Sequence, residues 1–134
     1  MKKAIKILAL SLVLIMSVMV LASCGAPNAD PDKALDALKK NEYTAGEDKV
    51  LIPLALKVLG VDVDTVISGT ATIDDKVEHV TILYFEDADA AKEAWEDVKE
   101  YAEGEKDDKD SDWTIAQSGA MIYWGTSAGI KAAK

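Results

Sequence analysis

Apolar and polar positions divide the chain at Cys24. Before it, Ile7 to Val20 reads ILALSLVLIMSVMV without a single charge, preceded by Lys2, Lys3 and Lys6 and followed by the small residues Ala22 and Ser23. Beyond it, apolar residues recur at spacings that separate helices from strands. In DPDKALDALKKN, Ala34, Leu35 and Leu38 share one helical face. Asp30 is its cap, Pro31 suits the first turn, Asp32 complements the helix dipole and Asn41 can end it. EYTAG (42–46) reads as a short strand, and EDKVLIPLALKVLG (47–60) as a second helix. That helix must begin near Asp48 or later, because an interior Pro53 would lose a hydrogen bond and clash with the preceding turn. Its expected core stripe is Leu51, Leu54, Ala55 and Val58, with Gly60 as the stop.

The clearest strand pattern follows. TVISGTATI (65–73) and VEHVTILYF (77–85) flank DDK, which predicts a hairpin. The second of these strands carries bulk on both sides, Val80, Ile82 and Tyr84 on one and Val77, Leu83 and Phe85 on the other, as expected of a central strand covered twice. DADAAKEAWEDVKEYAEG (87–104) predicts a helix capped by Asp87, lined by Ala91, Ala94, Trp95, Val98 and Ala102, and closed by Gly104. EKDDKDSD (105–112) is too polar for a core and reads as a loop. WTIAQ and AMIYW around Ser118 and Gly119 form a second hairpin, with Trp113, Ile115, Ile122 and Trp124 as packing residues, and TSAGIKAAK gives a short last helix. This order of elements resembles a ferredoxin-like α+β sandwich, an antiparallel sheet with helices packed on one face, plus extra helices at both ends. The resemblance is one of topology and carries no function.

A basic start, an apolar run and small residues form the layout of an export signal. The run is short of the roughly 20 residues of a comfortable transmembrane helix, although a tilted helix starting at Ala4 would just span, which makes an uncleaved signal anchor the alternative. LASC, Leu21 to Cys24, resembles the lipobox of bacterial lipoproteins, and Cys24 is the only cysteine. The resemblance implies that the thiol is alkylated by a diacylglyceryl group, that the chain is cut before Cys24, and that the new amino terminus can be acylated as well. Two or three acyl chains anchor stably, since each buried methylene contributes roughly 0.8 kcal/mol and one chain alone is marginal. The expected organisation is a signal peptide over 1–23, a lipidated cysteine with a short tether over 24–30, and one α+β domain over 31–134.

Charge narrows the partners. Of 15 basic residues, all lysine, three precede Cys24, and the other twelve face 24 acids, a net charge of about −12. A body so acidic is unsuited to nucleic acid, whose phosphates demand a cationic face. An anionic lipid surface repels it too, so the lipid must do the anchoring.

Candidate chemistry is sparse. Asp108, Asp110 and Asp112 alternate as in a calcium loop of the EF-hand type, with Ile115 at the apolar position. Trp113 stands where that loop needs glycine and Gly119 where it needs the bidentate glutamate, so the match fails at two of its defining positions. His79 is the only histidine; Glu78 faces away from it, and its expected neighbours across the hairpin, Ile73, Ala71 and Gly69, are not proton partners. GTSAG (125–129) suggests a phosphate loop but lacks the lysine of that motif, and Thr126 or Ser127 reads better as a helix cap. Glu93, Glu96, Asp97 and Glu100 form the wetted side of their helix. Tyr101 with Trp95 and Trp124 suggests an aromatic shelf or, more simply, core.

The sequence therefore predicts a lipid-anchored, extracytoplasmic cell-membrane protein of binding or envelope-associated role, without a cofactor. Its partners would be the membrane itself and a protein or second copy. The alternative is a small carboxylate- or metal-dependent hydrolase, which requires a pocket where two acids converge with His79 or a tyrosine.

Overall fold

The computed structural model describes residues 25–106 and 112–134. The export signal with Cys24, and Asp108 and Asp110 of the candidate calcium loop, lie outside the described residues. Along the chain run α1 (Pro31–Lys40), β1 (Thr44–Glu47), α2 (Leu51–Val58), β2 (Thr65–Ile73), β3 (Lys76–Tyr84), α3 (Ala88–Glu105), β4 (Thr114–Ser118), β5 (Met121–Gly125) and α4 (Ser127–Ala132). The strands form one sheet in the order β1-β2-β3-β5-β4, antiparallel at every ladder.

Local chemistry sets most of these boundaries. Asp30 caps α1 by accepting the Asp32 amide at 3.0 Å, with Pro31 in the first turn. Asp87 caps α3 by accepting the Ala90 amide at 2.7 Å. Gly104 lies inside α3, which continues through Glu105. β2 and β3 join through Asp74 and Asp75, both in the left-handed region at φ 52° and 63°, the requirement of a type I′ hairpin turn. Aspartate tolerates that region better than most residues, so the turn takes two residues where three were expected. The register moves by one position as a result, and His79 pairs with Thr70 rather than Ala71.

Alternation along β3 divides the core in two. Val80, Ile82 and Tyr84 join Ile67, Met121 and Tyr123 beneath α1 and α4, through Ala34, Leu38 and Ile130. Leu83 and Phe85 join Val66, Ile122 and Trp124 beneath α2 and α3, through Leu56, Ala91, Ala94 and Val98. The α+β class and antiparallel sheet are as the sequence predicts, but helices cover both faces rather than one. The strand order also departs from two split βαβ units: β3, α3 and β4 form one, with β5 between the two parallel strands, but β1 and β2, joined through α2, are adjacent and antiparallel. A central strand apolar on both faces can be buried only between two layers.

Residues 25–30, expected to form a free tether, are laid against the body. Pro27 is buried, and Ala26 packs on the core under α1. The Asn28 amide donates to Ala133 O at 2.8 Å, and the Tyr84 hydroxyl donates to Asn28 O at 2.8 Å.

Candidate functional site

Among the described residues, exposed or unspent chemistry lies in a polar cluster at one end of β3, in two shallow crevices and on the outer face of α2.

The cluster forms where β3 begins. Lys76 Nζ lies 3.5 Å from Glu78 Oε1 and 3.3 Å from Asp112 Oδ1. The other Asp112 oxygen accepts the Ser127 amide at 3.2 Å, at the start of α4. Its hydrogen bond to Asp112, with the nearby charge of both carboxylates, holds the Lys76 ammonium above its ordinary pKa. Burial pushes Asp112 up, but the Ser127 amide and Lys76 outweigh it and leave the carboxyl below its usual value. Glu78 is buried, and its Oε2 takes no hydrogen bond among the described residues, nor does the buried Tyr43 hydroxyl. Burial, then the charge of Glu78, raises the pKa of Tyr43. Two acids therefore do converge here, with a tyrosine nearby, but on a lysine that ties β3, the approach to β4 and α4 together. Asp112, the described member of the candidate calcium loop, is committed to this tie. Among the described residues no three His, Cys, Asp or Glu side chains group as metal ligands.

His79 sits beside the cluster, and its backbone is the notable part. The ladder between β3 and β5 ends at Val80 opposite Gly125. One residue further the Thr126 amide donates to His79 O at 2.9 Å, and the Thr126 hydroxyl accepts the His79 amide at 3.1 Å. The same hydroxyl donates to His79 O at 3.3 Å and caps α4 by accepting the Gly129 amide at 3.3 Å. A hydroxyl has one donor and two acceptor positions, and all three are used. A side-chain oxygen thus continues the ladder while the backbone turns into the helix. The approach is close: a Cβ at Gly125 or Gly129 would stand 2.2 Å from His79 O, and Gly125 holds φ 147°. GTSAG is therefore the seat of α4 on β3, with Thr126 as cap. Its two glycines were missed as packing residues, because their spacing matters only once β3 lies beneath them.

The crevices are open and poor in converging acids. One of about 400 Å³ lies at the opposite end of β3, between Ala29 and Pro31, Asp64 and Thr65, and the β4–β5 turn. Another of about 460 Å³ lies between α1 and the end of the chain, lined by Lys33, Lys40 and Lys134 with Asp36. Each has a single carboxylate in its lining, and neither is lined by Glu78, Asp112 or His79. The convergence that the hydrolase reading requires does not occur in them.

The aromatic group is core. Trp124 is 1% exposed and meets Tyr101 edge to face, with ring centroids 6.2 Å apart. Burial and a 2.9 Å hydrogen bond to Glu105 push Tyr101 up to about 12. Trp113 and Ile115 pack at the margin of the same core, and Lys106 stands 5.6 Å over the Trp113 ring.

The outer face of α2 reverses an expectation. Of the predicted core stripe, Leu51 is 78% exposed, Leu54 61% and Val58 83%; Leu56 alone in the helix is fully buried. Two features hold it this way. Asp48 accepts the amides of Val50, Leu51 and Ile52 at 2.9, 2.9 and 3.0 Å, and since Pro53 has no N–H these are all the donors this helix start leaves unpaired. Burial pushes Asp48 up, but these three bonds outweigh it and lower the carboxyl below its ordinary value. At the other end Gly60, at φ 82°, allows Gly60 N to bond Lys57 O and Val61 N to bond Leu56 O, both at 2.9 Å. This Schellman closure packs Val61 against Leu56 and so selects the buried side.

Among the described residues no helix is long and apolar enough to cross a membrane. The chain matches no protein-family model, no curated protein and no solved structure.

Proposed function

We propose that this protein is a lipid-anchored, extracytoplasmic domain of a bacterial cell membrane, with a binding or envelope-associated role rather than a catalytic one. The observation that carries the reading is the order of Lys2, Lys3 and Lys6, the uncharged run Ile7 to Val20, and LASC ending in the only cysteine. Sulfur in that place has a use that no disulfide provides, since there is no second thiol. The docking of Asn28 on Ala133 agrees with it, because a body joined to lipid at Cys24 then rests directly on the bilayer. The acids that do converge, Glu78 and Asp112, meet on Lys76, an arrangement that favours a structural tie over a hydrolase.

Mass spectrometry of the full chain extracted from its own membranes tests the anchor. The expected product starts at Cys24 and carries a diacylglyceryl thioether, and Cys24→Ser leaves the chain uncut and without lipid. A native product that keeps Met1, or a free sulfhydryl at Cys24, overturns the reading.

A further inference from the structure

We infer that the exposed face of α2 is a docking surface for a cationic amphipathic helix of another protein. The inference rests on the binding role proposed above and gives that role a partner of stated chemistry. Among the described residues seven large apolar side chains are exposed, and five of them fall together: Val50, Leu51, Leu54, Val58 and Leu59. Val50, Leu54 and Val58 recur at every fourth position and so form one ridge along the helix. A ridge of that spacing is what a second helix packs beside, and an apolar patch left in water marks a contact surface. α2 has 8 residues and is about 12 Å long, so two to three turns of a partner cover it.

Charge identifies the occupant. The layer of α2 and α3, residues 47–64 and 86–106, holds thirteen acids against five lysines. The layer of α1 and α4 on the other side of the sheet, residues 26–43 and 126–134, holds four acids against five lysines. The acidity of the body is therefore concentrated on the side that also exposes the apolar ridge. Glu47 precedes α2, Asp62 and Asp64 follow it, and Glu86 stands at the same end of the sheet, where the Asp64 amide donates to Tyr84 O at 2.8 Å. All four are exposed, and among the described residues none of them is ion-paired. Lys49 and Lys57 are the only basic residues between 47 and 64. An apolar centre bordered by unpaired acids fits a helix that is apolar along one side and carries lysine or arginine along its borders.

The same features disfavour the other occupants. A second copy would bring two acidic layers together across a two-fold axis. A bilayer lies on the wrong side: Ala26 packs on the core beneath α1 and α4 and Asn28 bonds Ala133, so the chain leading to Cys24 leaves the sheet face opposite α2. Anionic headgroups would also repel the acids around the ridge.

The test titrates the full chain, held in phosphatidylcholine nanodiscs, with a dye-labelled helical peptide of about four turns that has a leucine stripe and lysine borders. Empty nanodiscs are the blank, and a twin peptide has glutamate for every lysine. Saturable binding of the lysine peptide is expected, weakened about ten-fold by Leu54→Gln, which removes one buried leucine contact, and by about as much in the glutamate twin. Thr72→Gln, at the exposed far end of β2, should leave the affinity unchanged. Equal affinity of the parent and Leu54→Gln, equal affinity for the two peptides, or no saturable binding of either overturns the inference. Parent dimers in sedimentation that Leu54→Gln abolishes assign the ridge to a second copy and overturn it too. None of these outcomes bears on the lipid at Cys24, which mass spectrometry reads separately, so the anchor stands or falls on its own.

Discussion

Helices α2 and α4 are both short, and they meet the sheet in opposite ways. α4 approaches β3 so closely that Gly125 and Gly129 touch the His79 carbonyl, with Thr126 filling every hydrogen-bonding position of its hydroxyl. Its exposed remainder is small, since Ile130, Ala132 and Ala133 are buried. α2 is fixed by its two ends, the Asp48 carboxylate and the Gly60 closure, and by Leu56, while most of its leucine and valine surface faces outward. One helix is held by fit and the other by its caps. A helix that needs its face for the sheet has none to spare, and a helix held by its caps keeps a face free for something else.

Substitutions divide along the same line. The largest effect is expected at Gly129→Ala, whose new methyl would meet the carbonyl of His79, a backbone atom that cannot swing away. A loss of about 4 kcal/mol in urea unfolding is expected. A variant as stable as the parent would show that α4 is not seated by fit. Next, Leu56→Ala should cost about 3 kcal/mol, because it opens a cavity beside Val61 and Val66. Leu54→Ala, two residues away on the exposed side, should stay within about 0.5 kcal/mol. Equal losses at the two positions would erase the distinction between the inner and outer faces of α2.

The smallest effect belongs to the cap. Asp48→Ala should cost about 1 kcal/mol at neutral pH, the ordinary loss of a helix cap. Because the carboxyl is held below its usual value when folded, its support is present above about pH 4 and disappears as the pH falls through the lowered value. The gap between parent and Asp48→Ala should therefore narrow steadily as the pH is lowered from 7 towards 2, as read from their unfolding midpoints. A gap of the same size from pH 7 to pH 2 would place the effect in packing and not in the charged cap.

What could be read from residues alone follows the range of the forces. Asp30, Asp87 and Gly60 act within one turn of the chain, and each helix boundary they mark is found where expected. The two hairpins are equally local, although the left-handed pair Asp74–Asp75 moves the register by one. The orientation of α2 was not legible, because a helix apolar on nearly every side gives periodicity nothing to select; the closing contact of Val61 on Leu56 decides it. The second helical layer was visible only as bulk on both faces of β3, with no sign of which helix would cover which. The polar tie of Lys76, Glu78 and Asp112 joins residues far apart in sequence, and no spacing announces it.

On the proposed anchor, the docking of residues 26–30 has a consequence for how long the protein stays attached to its membrane. A peptidase needs several residues drawn out in extended form, and here Pro27 is buried while Asn28 is bonded through both its amide and its carbonyl. No stalk is offered for shedding. On the proposed anchor, proteolytic release waits on the rare local opening in which Asn28 parts from Ala133 and Tyr84.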